Sequence, residues 1–162
     1  MAFRFVKSAG ALHEPVVVSM AASGTVRPGM AVEFTRGSVT TQGFVGPASS
    51  SSTTTNIFGV CLDYAQGASD VEVRVIPFVP GQLWEADCVS AISTLSVGKK
   101  QQLYGSNSVL LNNTAYDSTN AAGVFLVYNI TGATTGSGKV IGEFIRTPAG
   151  VHQAGIAGEV YW

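Results

Sequence analysis

Short apolar runs alternate along the chain with clusters of glycine, proline, asparagine and serine, a spacing that is typical of all-β proteins. Valine outnumbers leucine by 21 to 8, and β-branched side chains favour pleated strands. We therefore expect an all-β subunit, either a small β-barrel or a β-sandwich, with at most one short helical turn within Cys88–Leu95. The expected strands are Phe3–Val6, Val16–Met20, Ala31–Phe34, Thr40–Val45, Ile57–Tyr64, Val71–Val79, Gln82–Ala86, Gln101–Tyr104, Ser108–Leu111, Val124–Ile130, Lys139–Arg146 and Gly158–Trp162.

Two segments show the alternation of a strand most clearly. In Val71–Val75 the valines fall on one face and Glu72 and Arg74 on the other, which predicts a half-buried antiparallel strand. In Lys139–Arg146 both faces carry apolar side chains. This second pattern predicts a strand that is buried on both faces or lies at an interface.

Three polar segments are predicted to be connections. Gly46-Pro47-Ala48 leads into Ser49–Thr55, an unbroken run of serine and threonine that is typical of a flexible loop or hairpin tip. Asn112–Gly123 is expected to be a second connection, and Thr131–Gly138 to close a wide hairpin.

The length of 162 residues suits one domain or two very small ones. Several predicted strands lie on each side of Pro77–Gly81, a segment rich in proline and glycine. This favours an N-terminal β-lobe at 1–80 and a C-terminal β-lobe at 81–162, although a single domain over 1–162 fits the same pattern.

Charge is scarce: 12% of the residues are charged and the net charge is −1. Binding to nucleic acid or to an anionic membrane surface requires clustered cations, so neither partner is expected. A surface of serine, threonine, asparagine and glycine suits a subunit of an assembly, where contacts between copies hide much of it. Met1–Lys7 lacks the apolar core of a signal peptide, so we expect synthesis in the cytoplasm.

No catalytic, metal or cofactor pattern stands out, and we expect a protein that is not an enzyme and has no cofactor. The glycine-rich segment Thr135–Val140 lacks the first glycine and the final hydroxyl of a phosphate-binding loop, which favours a hairpin turn. Glu85 and Asp87 could share one side of a predicted strand, as a glycosidase pair would, but the pattern favours a solvated strand face.

The aromatic residues leave a second function open. A carbohydrate- or receptor-binding β module, for example on a fibre or tail, would stack sugars on exposed rings, and sugar would then quench the fluorescence of Trp84 or Trp162. Aromatic residues in strands also serve as core or interface anchors, and Trp84, Tyr161 and Trp162 are the candidate interface aromatics.

Three stretches together resemble the head decoration (cement) proteins of tailed bacteriophages. Gly24–Phe34 is similar to an opening in which a polar turn and Pro-Gly precede a strand. Phe58–Leu62, followed by Gly67 and Val71–Val75, resembles a hairpin of those small β-barrels, and Pro80–Asp87 resembles the start of a second β element.

The resemblance implies a structural virion protein on the outer surface of an expanded capsid, made in the host cytoplasm. Such proteins form homo-oligomers, trimers above all, and stabilise the shell by bridging subunits of the major capsid protein. The candidate contact arm is Phe3, Arg4, Phe5, Val6 and Lys7, which either adds a strand to the capsid or a neighbouring subunit, or forms the first strand of its own subunit.

Overall fold

The computed structural model describes residues 3–8, 14–21, 24–35, 44–66, 71–92, 94–105, 107–116, 123–132 and 138–146. These ranges hold thirteen strands and one 3₁₀ turn, Thr94–Ser96, so the expected all-β class is confirmed. The strands are β1 (Arg4–Ser8), β2 (Val16–Ser19), β3 (Thr25–Val26), β4 (Ala31–Phe34), β5 (Val45–Pro47), β6 (Ile57–Cys61), β7 (Ala65–Gln66), β8 (Glu72–Pro77), β9 (Gln82–Cys88), β10 (Lys100–Tyr104), β11 (Asn107–Tyr116), β12 (Phe125–Ile130) and β13 (Lys139–Phe144).

The C-terminal strands close into a five-stranded barrel. The pairing runs β9-β11-β10-β12-β13 and returns from β13 to β9, with every neighbour antiparallel except β9 and β11, which are parallel. The first strand of the chain, β1, joins this barrel from outside by pairing with the first half of β9. Closure pairs the edges of the sheet with each other, so the barrel itself exposes few free strand edges.

The N-terminal strands form an antiparallel sheet in the order β2-β8-β6-β4-β5, and β3 pairs with β7 beside it. A single parallel bridge between Met20 and Val45 joins the two ends of the five-stranded sheet. All five residues of β6 are buried, which explains why this strand reads in the sequence as an uninterrupted apolar run.

Two apolar cores hold these sheets. The smaller one fills the N-terminal sheet and is built mainly from valine, together with Met20 and Cys61. The larger one fills the barrel with aromatic rings and extends to Ile57, Val60 and Phe78, which come from the N-terminal half of the chain. The division into lobes at residue 80 and the single-domain alternative both remain predictions.

Most predicted strands lie where the sequence placed them, with ends that differ by at most three residues. Val73 and Val75 are buried while Glu72 and Arg74 are exposed, as the alternation indicated. The expected wide hairpin is confirmed by the antiparallel pairing of β12 with β13. The helical turn is present but lies at the end of the predicted segment, because Cys88 still belongs to β9.

Two of the expected connections contain strand residues. Gly46 and Pro47 belong to β5, and Asn112–Tyr116 continues β11, because pairing with neighbouring strands outweighs their weak strand propensity. The run Ser49–Thr55 is a connection, as predicted, but it is not a hairpin tip, since β4 lies between β5 and β6 in the sheet. It forms turns held by its own hydroxyl groups, and Ser52 is buried where its Oγ accepts the Ser49 N–H at 2.7 Å.

Two short strands, β3 and β7, were missed because two residues carry no detectable alternation. The predicted strand at Gly158–Trp162 lies outside the described residues, as do residues 40–43 of the strand predicted at Thr40–Val45.

Candidate interaction surface

The predicted contact arm is the first strand of its own subunit. Phe3 is buried, donates its backbone N–H to the Gly29 carbonyl at 3.0 Å, and packs its ring edge-on against Phe144 at a centroid distance of 4.8 Å. From Arg4 onward the strand pairs antiparallel with β9. Phe3 therefore anchors the arm, and the four residues that follow it are exposed.

The outer side of β1 is a strand edge in the described part of the chain, because β1 stands at the end of the sheet order. The register shifts between Phe5 and Lys7, so Val6 is the extra residue of a β-bulge. Phe5 covers Trp84 with a T-shaped contact at 5.5 Å and is still 38% exposed. The arm thus offers exposed apolar groups and unpaired backbone groups along one line.

A cluster of four charges lies beside the arm on the outer face of the barrel. Arg4 forms an ion pair with Glu85, and the Lys139 ammonium lies 3.7 Å from Glu85 and 3.6 Å from Asp87. The two carboxylates do share one face of β9, as the sequence predicted, but each lies beside a cation. This arrangement matches a solvated strand face rather than a pair of catalytic carboxyl groups.

The placement of Trp84 corrects its assignment as an interface aromatic. The side chain is 1% exposed and packs edge-on against Phe5, Phe78 and Phe144, because it lies on the inward face of β9. Its indole Nε1 is buried and has no hydrogen-bond partner among the described residues. A sugar cannot stack on this ring. Tyr161 and Trp162 lie outside the described residues.

Two of the exposed tyrosines do not form a shared platform for a sugar. Tyr104 lies at the end of β10 and Tyr128 lies on β12, and the antiparallel register aligns Lys100 with Leu126. Along this register the two tyrosines are about six residues apart, which is roughly 20 Å at the rise of a strand. Tyr64 is exposed in the connection between β6 and β7.

A second exposed surface, which we call the barrel face, was not predicted as a site. It is the outer side of β10, β12 and β13, where Lys100, Leu126 and Glu143 stand in one cross-strand row. A cavity of about 350 Å³ opens on it, lined by Gly98, Lys100, Leu126 and Ile145. The signal in the sequence was the two-sided pattern of Lys139–Arg146, which indicated burial on both faces or an interface.

Exposed apolar side chains occur on the barrel face and in the segment that precedes it. Tyr128 is 46% exposed and donates its hydroxyl to the Glu143 carboxylate at 2.9 Å; burial and this acceptor raise the pKa of the tyrosine. Val97 and Leu95 lie just before Gly98, and Leu95, at 78%, has the highest exposed fraction among the large apolar side chains of the described residues.

The described residues bring together little that could perform chemistry. Cys61 and Cys88 are free and buried, and burial raises the pKa of both thiols, for Cys88 to about 11. Within the described ranges, histidine, cysteine and acidic side chains form no group of three that could hold a metal ion. None of the helices in the same ranges is long and apolar enough to cross a membrane.

Comparison with known proteins gives no relative from which a function could be inferred. The chain matches no family model, and no curated protein or solved structure is similar enough to count as a relative.

Proposed function

We propose that the protein is a structural virion protein that decorates the outer surface of an expanded phage capsid. It binds the shell and bridges subunits of the major capsid protein, and so stabilises the expanded form by its binding free energy. The protein acts as a homo-oligomer, with the trimer implied by the resemblance as the expected form, and it has no catalytic role.

The observation that carries the proposal is the β1 arm. Its anchor, Phe3, is fixed in the core, while Phe5 and Val6 are exposed beside an outer strand edge. A strand of another protein can add to such an edge through backbone hydrogen bonds, and the exposed side chains then become buried. Arg4 is paired with Glu85 of the same chain, and Lys7 adds an exposed cation that suits an acidic group on a partner strand.

The composition supports the same role. A chain with 12% charged residues has few groups that keep copies apart in solution, which suits a protein that works inside an assembly. The closed barrel provides a stable support for an arm whose outer edge has no partner strand among the described residues.

A co-sedimentation experiment tests the proposal. Purified chain is mixed with shells of the major capsid protein encoded in the same genome, in the unexpanded and the expanded form. We expect binding to expanded shells alone, together with a higher temperature of shell disruption. Val6→Lys is expected to abolish binding, because a charge on an edge strand opposes strand addition.

Val17→Lys is the matched control, since Val17 is also an exposed valine, 59% accessible, on the separate strand β2. It should bind as the wild type does. Equal binding by both variants would remove the arm from the proposal, and no binding of the wild type to either shell would end the proposal. A glycan array tests the sugar-binding alternative, which requires a reproducible signal.

A further inference from the structure

We propose that two copies of the chain pair through the barrel face about a twofold axis that runs along β12. This inference goes beyond capsid decoration and does not depend on it. The basis is the row Lys100–Leu126–Glu143, which places a cation, an apolar side chain and a carboxylate side by side on three adjacent strands.

The row is complementary to itself. Lys100 and Glu143 are separated by β12, so their backbones lie about 10 Å apart, which is two strand spacings. Rotation about an axis along β12 exchanges the two flanking strands. Lys100 of one copy then faces Glu143 of the second copy, and the reverse, while Leu126 meets its own equivalent.

The same rotation fills the cavity. Continuing the register of β10 and β12 places Gly98 beside Tyr128, and Gly98 donates its N–H to the Val127 carbonyl at 2.8 Å. No atom lies within 4 Å of the position that a Cβ on Gly98 would take. Ile141 pairs with Asn129 on the other side of β12, so Ile141 of the second copy comes over this open space.

Exposure supports the pairing. Tyr128 is exposed beside the row, and contact between two such faces buries it together with the half-buried Leu126 and Ile145. Val97 and Leu95, which precede Gly98 in the chain, are exposed as well. Apolar surface concentrated beside oppositely charged groups is typical of an interface with a polar rim. The half-polar outer side of β13, which has Lys139, Ile141 and Glu143 in alternation, belongs to that contact.

Charge reversal tests the pairing. Lys100→Glu and Glu143→Lys each place two like-charged pairs across the axis, and each variant alone should associate at least about tenfold more weakly than the wild type. A 1:1 mixture of the two variants places opposite charges at both positions. We expect sedimentation velocity to give half the wild-type mass for each variant and the full wild-type mass for the mixture.

The readout is the ratio of the wild-type mass to the mass of a single variant. This ratio is two whether the units that pair are single chains of 16.8 kDa or larger clusters. The variants Arg27→Glu and Glu72→Lys repeat the same charge changes at exposed sites in the N-terminal half of the chain and should keep the wild-type mass. Failure of capsid binding leaves this result untouched, so the two proposals fail separately.

Three results would overturn the pairing. The first is a wild-type mass no greater than that of the two variants. The second is an unchanged mass for Lys100→Glu or Glu143→Lys. The third combines two observations: the mixture does not recover the wild-type mass, and the double variant Lys100→Glu/Glu143→Lys recovers the thermal stability that the single variants lose. That result would assign the two charges to a contact within one chain.

Discussion

Phe78 and Phe144 stack ring on ring, with centroids 3.7 Å apart and planes inclined by 16°. Phe78 follows β8 of the N-terminal sheet, and Phe144 ends β13 of the barrel. Phe144 also contacts Phe3, Trp84 and Phe125, so one ring joins the anchor of the arm, the barrel and the N-terminal strands. The contact surface of the arm therefore depends on the packing of this aromatic cluster.

Replacement of either ring should lower the free energy of unfolding substantially. Both are almost fully buried, and Phe78→Ala or Phe144→Ala should each cost about 3–5 kcal/mol in urea-induced unfolding, because each leaves a large cavity. The double variant should lose less than the sum of the two losses, since the two rings are in contact. Phe5→Ala is the control and should cost less than half as much, because its ring is partly exposed. A loss below about 1 kcal/mol for Phe144→Ala would contradict the central role of this ring.

The strands themselves were largely predictable, because valine-rich runs between turn residues carry a direct signal of period two or of full burial. Gly46 and Pro47 show where the signal ends. Both are poor strand formers, and β5 exists because Val32 and Glu33 of β4 pair with them. Such pairing joins residues that are distant in the sequence, so the local pattern does not contain it.

The candidate surfaces were predictable to different degrees. The arm was identified from alternation at the N-terminus, but the choice between its own subunit and a neighbour required the pairing with β9. A tryptophan in a strand suits a core and an interface equally well, so the sequence did not decide between them and the assignment of Trp84 to an interface was wrong. The barrel face combines Lys100, Leu126 and Glu143 from three strands, and the antiparallel register that aligns them becomes visible in the structure.

The ion pair of Asp63 and Arg74 contributes to the stability of the fold, and this contribution depends on pH in the acidic range. The Arg74 side chain and its backbone N–H donate to the Asp63 carboxylate at 2.6 and 2.8 Å, and lower its pKa from 3.8 to about 2. Because folding lowers this pKa, the stabilisation is fully present above pH 3.8 and disappears as the pH falls through 2.

Asp63→Asn should therefore lower the melting temperature by a small, constant amount at neutral pH, and the difference should vanish toward pH 2. Calorimetry at a series of pH values measures this difference. Glu72→Gln, on the same strand as Arg74, is the control. A difference for Asp63→Asn that stays the same down to the lowest pH would show that its carboxylate is not the stabilising group.

Closure of the barrel depends on a close backbone approach at Gly142. A Cβ at this position would overlap the backbone carbonyl oxygen of Leu126 and lie 2.6 Å from the ring of Phe125. Gly142→Ala should therefore push β13 away from β12 and lower the free energy of unfolding by about 2 kcal/mol or more. Gly46→Ala is the control, because the nearest atom there is a Thr35 methyl group at 3.3 Å, which can move slightly. Equal stability of the two variants would contradict the tight packing between β12 and β13.

The two thiols report on opening of the cores. Cys61 and Cys88 lie in the smaller and the larger core respectively, and burial raises the pKa of each, with the nearby Asp87 carboxylate adding to the effect at Cys88. Since the thiolate is the reactive form and the sulfur atoms are covered, labelling by Ellman's reagent at pH 8 should be slower in the native protein than in urea by roughly 1,000-fold or more. The variant Val17→Cys adds an exposed thiol and should react at an ordinary rate, one equivalent per chain, while the two native thiols stay unlabelled. Rapid labelling of Cys61 alone would mean that the N-terminal sheet opens independently of the barrel, and rapid labelling of both would contradict their burial.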